Sequence, residues 1–361
     1  MSIDFSESLL LLGALVAAAA ALSGLFQGSV LNASVLAVGA GIALAAFDVV
    51  SVDSESDVVS HAIELALILT LFSDGLFVER ELLGRHWGPP VRELVVAMPV
   101  TMALIAVCAH MLFEELTWAE CFVLGAVLSP TDPVVTSTVV TARRVPSLIR
   151  HTLNLESGLN DGLALPLVLF FVVLAEPGGD ALGSGLELLG KVAVGAAIGL
   201  GVAYAAGLAL RRIPGGGIAH NYEGVYALGL ALFAFGLADV TWGNGLIAAF
   251  LAGVGIAVAE HDVPDAFSVF NENVSAVFQA ITFFLFGALI IDTPWDKSVG
   301  ALIALIAFTL LLARPVAVLL ALAGTRLPEP HKLRILVDAA KDCDLPQIGI
   351  LAIRLEALPD L

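Results

Sequence analysis

The chain has 361 residues, of which 59% are hydrophobic and only 14% are charged. A water-soluble domain carries about a quarter of its residues as charged side chains, so this composition excludes an ordinary soluble protein. The formal net charge of -18 also excludes nucleic acid as a partner, because nucleic-acid binding needs a basic surface. The sequence therefore predicts a protein embedded in a lipid bilayer.

Apolar segments follow one another along most of the chain, and at about 1.5 Å per residue each can cross about 30 Å of hydrocarbon. The linkers between them are short, which predicts an all-α polytopic membrane protein with one transmembrane domain over residues 1–334. About eleven spans are predicted, at 7–25, 28–46, 58–79, 93–113, 119–142, 150–174, 185–210, 222–240, 243–260, 266–291 and 299–323.

The positions of Arg and Lys predict the orientation of these spans. Basic residues cluster after the third, fifth, seventh and eleventh spans, whereas the loops between them are acidic, and Lys297 is the one loop base on the opposite side. The positive-inside rule then places the N-terminus outside and the C-terminus in the cytoplasm. We expect a multi-pass protein of the cell (inner or plasma) membrane.

Two prolines flank a carboxylate inside the predicted fifth span, in the order Ser129, Pro130, Thr131, Asp132, Pro133. Proline lacks an N–H group and disfavours helical geometry in the residue before it, so the helix is predicted to break here. Broken helices near the middle of the bilayer are how secondary transporters build ion sites. The structural alternative is a proline kink in which Asp132 or Thr131 only caps a helix.

The sixth predicted span carries Glu156, Ser157, Asn160 and Asp161. Ser157 and Asp161 are four residues apart and share a helix face, and their oxygens are the hard ligands that a small cation prefers. A polar cluster at a helix end is the alternative, but the sequence continues apolar from 163 to 175.

Arg314 is the one basic residue within the predicted eleventh span. A guanidinium stays charged, so in hydrocarbon it needs a carboxylate partner, and Glu156 is the expected one. Alternatively, the span ends at Ala313 and the side chain reaches the bilayer surface.

These motifs together resemble the monovalent cation:proton antiporter-1 family, the archaeal and bacterial Na⁺/H⁺ exchangers. The Thr131-Asp132-Pro133 element followed by Glu156-Ser157 and Asn160-Asp161 is specific as a combination. The resemblance covers about residues 8–334, and its further matching segments are 71–76, 125–135, 156–162, 283–288 and the buried Arg314.

The resemblance implies an inverted-repeat bundle with discontinuous helices, in which Asp161 alternates between cation and proton. It implies Asp132, Thr131 and Ser157 as ligands or water-mediated neighbours of the cation, here Na⁺. It also implies a structural ion bridge between Glu156 and Arg314. Asn160 marks the electroneutral class of the family.

The expected function is secondary active transport, exchanging Na⁺ (or K⁺ or Li⁺) for H⁺ by alternating access. With Asn160 neutral, one proton on Asp161 is exchanged for one cation without net charge movement. The resemblance further implies a homodimer in which an ion-binding bundle rocks against a scaffold. No cofactor is expected, because the three cysteines and seven histidines show no metal-ligand spacing.

The segment 335–361 departs from the family, which usually has a further broken helix with a Gly-Pro-Arg-Gly element after the arginine span. This tail is charged and lacks that element, so we expect the bundle to lack its last crossing helix. A frameshifted or truncated gene would explain this, and a non-transporting paralogue is then an alternative function. A passive cation channel and an intramembrane aspartyl protease using Asp132 and Asp161 are further alternatives.

Overall fold

A computed structural model of the chain describes residues 33–50, 56–77, 91–130, 147–176, 181–212, 222–259, 265–292 and 299–323, together with positions 10, 13, 14, 17, 21 and 52. Every regular element in these residues is helical. The helices are α1 (Ala33–Ala46), α2 (Asp57–Phe77), α3 (Glu93–Leu112), α4 (Trp118–Leu128), α5 (Ser147–Ala175), α6 (Ala181–Arg212), α7 (Glu223–Val240), α8 (Gly245–Ala259), α9 (Asp265–Asp292) and α10, whose consecutive parts are Val299–Phe308, Thr309–Ala313 and Arg314–Leu322.

The predicted spans from 28–46 onward each coincide with one of these helices, which confirms the all-α polytopic class. In the described residues, six helices are both long and apolar enough to cross a membrane, and four shorter apolar helices accompany them. The predicted fifth span is the exception in length, because α4 ends at Leu128. Of the predicted first span, only positions 10, 13, 14, 17 and 21 are described, and the tail at 335–361 lies outside the described residues, as does any last crossing helix.

The chain divides into two compact units. The described residues of the first unit fall within 10–67 and 272–292, and those of the second fall within 68–130, 147–259, 265–271 and 299–323. The unit boundaries fall within α2 and α9, so both helices contribute to both units.

Helices in both units approach each other through glycines. In the first unit, a Cβ atom on Gly41 of α1 would overlap the backbone of α9 around Gly287, and a Cβ on Gly287 would overlap α1 at Val38. In the second unit, Gly75 of α2 and Gly253 of α8 have the same reciprocal relation. Lipid tails are as apolar as Leu, so helices in a membrane associate through such close backbone packing.

Small residues also line the interior of the second unit. Along α7, Ala227, Ala231, Ala234 and Ala238 are all fully buried, at the spacing of one helix face. Helix α6 packs against α8, where Gly199 leaves room for the backbone of Ala248. Close helix contacts through small residues therefore contribute to the packing of the second unit, together with large buried side chains such as Phe72 and Ile105.

Two helices of the second unit contain a widened π turn directly before a proline. In α3 the turn is Glu93–Ala97, closed by a bond from the Met98 N–H to the Glu93 carbonyl, and Pro99 follows. In α10 the turn is Thr309–Ala313, closed by the Arg314 N–H and followed by Pro315. Proline has no N–H for the ordinary i→i−4 bond, and a π turn accommodates this loss.

Helix α4 has a defined beginning and end. The Thr117 hydroxyl accepts a hydrogen bond from the Glu120 N–H, while the Glu120 carboxylate accepts one from the Thr117 N–H, which is a capping box. At its other end the helix stops at Leu128, one residue before Ser129 and Pro130. Stacking of Phe122 on Phe171 of α5, with ring centroids 4.9 Å apart, fixes α4 against α5.

Candidate functional site

Helix α5 carries the central pair of polar residues, Asn160 and Asp161. Asn160 is 1% exposed, whereas Asp161 is half-buried. The helix continues without interruption to Ala175, so this pair lies within a membrane-length helix rather than at its end. The next residue, Gly162, lies so close to the Phe250 ring that a Cβ atom there would overlap it. Asp161 is thus a carboxylate inside the helical bundle that remains partly accessible.

The end of α4 lies beside this helix and is capped by an arginine from α10. The Arg314 guanidinium donates from Nη1 to the Ser129 carbonyl oxygen over 2.9 Å, and both residues are buried. The Ser129 hydroxyl donates to the Ala126 carbonyl at 3.2 Å. The last carbonyls of a helix lack intrahelical donors, and the positive charge suits the negative end of the helix dipole. Arg314 therefore stabilises the end of α4 at the predicted helix break.

Arg314 is only 3% exposed, and α10 continues past it to Leu322, which argues against a side chain that reaches the bilayer surface. The sequence predicted a carboxylate partner for it, Glu156, but did not predict a backbone carbonyl. Residue 156 is helical, and its side chain lies outside the described part of the chain. The Glu156–Arg314 ion bridge therefore stays a prediction.

Beside Arg314 lies a cavity of about 10 Å³, which is about the room that one water molecule needs. It joins residues from α3, the end of α4, α5 and α10. The cavity is lined by Glu93, Leu94, Ala97, Met98, Thr101, Ser129, Asn160, Arg314 and Val318. The cavity wall thus brings Asn160, Ser129 and Arg314 together.

Two buried carboxylates were not identified as site residues from the sequence. Glu93 is 1% exposed and lines this cavity, although its position at the start of a predicted span suggested a boundary residue. Asp74 on α2 is 5% exposed and lies next to the buried Ser73. One feature of the sequence could have identified Glu93. The apolar sequence after Glu93 contains Pro99, and a proline so early in a span indicates a kinked helix in which Glu93 lies inside the bundle rather than at the membrane surface.

Several predicted site residues are not placed by the structure. Thr131, Asp132 and Pro133 lie outside the described residues, and so does the side chain of Ser157, although its backbone is one helical turn before Asp161. Pro130 is the last described residue after α4. Within the described parts of the chain, no three His, Cys, Asp or Glu side chains are grouped to hold a metal ion. The predicted Na⁺ ligand set therefore stays a prediction.

The arrangement can nevertheless bind a small monovalent ion at one carboxylate. Asp161 offers hard oxygen atoms, which bind either a proton or an alkali cation. Asn160 beside it is neutral, and the fixed charge of Arg314 lies at the end of α4 rather than on α5. Among the side chains of α5 that the structure describes, those of residues 159–175, Asp161 is the one ionisable group.

Known proteins resemble this chain over nearly its whole length. The family model described as "Sodium/hydrogen exchanger, transmembrane" matches residues 10–360. Among solved structures, the sodium proton antiporter MjNhaP1 of Methanocaldococcus jannaschii at pH 8 superposes with a TM-score of 0.79 at 19% identity, covering 97% of this chain and 86% of that one.

The names of two relatives of known function specify different cations. The K(+)/H(+) antiporter NhaP of Alkalimonas amylolytica is 24% identical over 276 residues, which cover 75% of this chain and 47% of the relative. The Na(+)/H(+) antiporter 2 of Zygosaccharomyces rouxii is 29% identical over 203 residues, or 54% of this chain and 25% of the relative. The matched chain thus spans about half or less of the length of these relatives.

Proposed function

The chain belongs to the sodium/hydrogen exchanger family of transmembrane proteins, and from this premise we propose that it exchanges Na⁺ or K⁺ for H⁺ as a secondary active transporter. The observation that carries the proposal is Asp161, a half-buried carboxylate beside the buried Asn160 in a continuous membrane-length helix. A carboxylate costs about 2.5–3.5 kcal/mol at the centre of a membrane helix, so its presence there supports a functional role. The family consists of transporters, so the chain is not an enzyme.

In this mechanism Asp161 binds the cation and the proton in turn, and the two compete for the same oxygen atoms. Thr131, Asp132 and Ser157 complete the cation site in the proposal, and lithium is a further candidate cargo. A neutralised site, loaded with either ion, crosses between the two sides, whereas the empty charged site does not. A pH difference of one unit supplies about 1.4 kcal/mol to move the cation against its gradient.

Asn160 supports a one-for-one, electroneutral exchange. Since its amide adds no charge, replacing one proton on Asp161 by one monovalent cation leaves the charge of the site unchanged. The exchange rate in proteoliposomes should then be independent of an imposed membrane potential. A rate that follows the potential would contradict one-for-one exchange.

The supporting parts of the proposal are the ion bridge between Glu156 and Arg314, a homodimer, and insertion in the cell membrane with the C-terminus in the cytoplasm. The burial of Arg314 supports the first of these. The fold shared with a sodium proton antiporter supports alternating access as the transport mechanism.

The deciding experiment is cation-dependent proton movement in everted membrane vesicles, followed with a pH-sensitive dye after addition of NaCl or KCl. The wild-type chain should dissipate the proton gradient, and Asp161→Asn should abolish this because an amide cannot exchange a proton. Asp239→Asn is the matched control, since Asp239 is an exposed carboxylate near the end of α7, and it should transport normally.

Two results would contradict the proposal. Wild-type protein that accumulates in the membrane but moves no protons would favour the non-transporting paralogue. Cation flux without counter-moving protons would favour a passive channel.

A further inference from the structure

A buried carboxylate outside the family motifs, Glu93, lies next to the proposed exchange site. It is 1% exposed and begins the π turn of α3, where its carbonyl accepts the bond that closes the turn. Its side chain lines the same small cavity as Asn160 and Arg314. The proposed transport step gives Glu93 no role, although burying a carboxylate is costly unless its charge is balanced.

Arg314 is the basic residue that lines this cavity together with Glu93. Among the described residues that line it, Glu93 and Arg314 are the two that carry charge. The helix parts that bear them also pack against each other, since the π turn Glu93–Ala97 contacts Arg314–Leu322. A buried guanidinium and a buried carboxylate on contacting helices offset much of each other's desolvation cost.

The same cavity connects this charge pair to the helix that carries Asp161. Asn160 contributes to the cavity wall, and the π turn of α3 contacts α5 directly. The Ser129 carbonyl at the end of α4, held by Arg314, is a further part of the wall. The charges in this cavity therefore contribute to the electrostatic potential at Asp161, the residue that follows Asn160.

We propose that Glu93 is a positioning residue for cation exchange: beside the proposed Glu156–Arg314 bridge it places a second negative charge next to Arg314, and so maintains the affinity of Asp161 for its ions. This inference rests on the proposed function of Asp161. Glu93 exchanges no ion itself in this scheme. Its negative charge lowers the electrostatic potential at Asp161, the carboxylate that must bind a cation or a proton.

Glu93→Gln keeps the size of the side chain and removes its charge. Loss of this negative charge next to Arg314 weakens cation binding at Asp161, so the KM for Na⁺ or K⁺ should rise while the maximal rate changes little. A rise of about tenfold is expected for a unit charge removed at roughly one helix diameter in a protein interior. Glu93→Asp keeps the charge and should restore most of the affinity.

The transport test compares cation titrations of wild type, Glu93→Gln and Glu93→Asp in proteoliposomes. Glu115→Gln, an exposed glutamate in the loop between α3 and α4, is the control and should match wild type. A Glu93→Gln KM within twofold of wild type would overturn the proposal. Equal KM values for Glu93→Gln and Glu93→Asp would overturn it too, because charge would then be irrelevant.

A second measurement tests the charge pair without any transport assay. Thermal unfolding midpoints of purified Glu93→Gln, Arg314→Met and the double variant form a double-mutant cycle. If the two charges stabilise each other, the unfolding midpoint of the double variant should fall by less than the sum of the falls in the two single variants. Strictly additive shifts of the unfolding midpoint would show that Glu93 and Arg314 do not interact, and this result would overturn the inference. A wild-type chain that transports nothing would instead refute the proposed function and leave this cycle decisive for the charge pair.

Discussion

Arg314 shows how one side chain can serve the end of a broken helix. The guanidinium reaches from α10 to the Ser129 carbonyl, 185 positions away in sequence, at the point where α4 stops. Water is absent from the hydrocarbon region, so an unsatisfied carbonyl there costs several kcal/mol. The planar guanidinium of arginine holds several N–H donors in one rigid group, whereas lysine has a single ammonium group at the end of a flexible chain.

Replacing Arg314 should therefore destabilise the protein more than replacing an arginine on the surface, such as Arg212. Arg314→Met removes a charged donor from a buried carbonyl, which should lower the free energy of unfolding by about 2 kcal/mol or more. Arg314→Lys keeps the charge and should lie between Arg314→Met and wild type. The measurement is the thermal unfolding midpoint of purified protein followed by tryptophan fluorescence.

Arg212→Met is the control for this comparison, because Arg212 is exposed at the end of α6. It should stay within about 0.5 kcal/mol of wild type, as surface substitutions do. Equal stability of Arg314→Met and Arg212→Met would contradict the capping role of Arg314.

Individual helices follow from the sequence more closely than their contacts do. Long apolar segments and charged loops are local signals, and the predicted spans at 93–113, 222–240 and 299–323 match their helices within about two residues. The π turns before Pro99 and Pro315 were not predicted, because the same proline pattern also permits a simple kink. The Ser129–Arg314 bond was not predicted either, since nothing local in the sequence relates residues so far apart.

Close packing between helices is also an element-scale property, and Gly75 tests it. Gly75→Ala would place a methyl group against the backbone of α8 near Gly253, which should destabilise the protein by about 1–3 kcal/mol. Gly229→Ala on α7 is the control, because no atom lies within 4 Å of its Cβ position. That control should be neutral or stabilising, since alanine favours a helix by about 0.5–1 kcal/mol over glycine.

The readout for this pair is the thermal unfolding midpoint measured in the same detergent. Similar midpoints for Gly75→Ala and Gly229→Ala would show that α2 and α8 can separate slightly at no cost. A loss confined to Gly75→Ala would support the reciprocal glycine contact.

At the scale of the whole molecule, the fold class of the chain and its orientation in the membrane rest on different observations. The fold matches a sodium proton antiporter along 97% of the chain, whereas the orientation rests on the distribution of Arg and Lys. The position of Asn160 and Asp161 within a long helix was predictable because their motif is contiguous in sequence, whereas the ion site around Asp161 stays a prediction. The contribution of Glu93 was not, because only the packing of α3 against α10 brings it to the cavity.

Orientation can be measured with single cysteines in a variant whose three native cysteines are replaced by alanine. Glu115→Cys lies in a loop predicted to be outside, and Arg212→Cys lies at a helix end predicted to be cytoplasmic. A membrane-impermeant maleimide added to intact cells should label Glu115→Cys and spare Arg212→Cys. The reverse pattern would show the opposite topology.

The glycine contacts and the π turns together determine where the bundle is stiff and where it is compliant. Where Gly75 meets Gly253, backbone touches backbone, so no side chain is present to rotate or slide and the contact behaves as a rigid joint. A widened turn next to a proline lacks the regular bonding ladder and bends at lower cost. Elastic strain in α3 and α10 should therefore concentrate at Glu93–Ala97 and Thr309–Ala313. The first of these turns contains Glu93, and the second directly precedes Arg314.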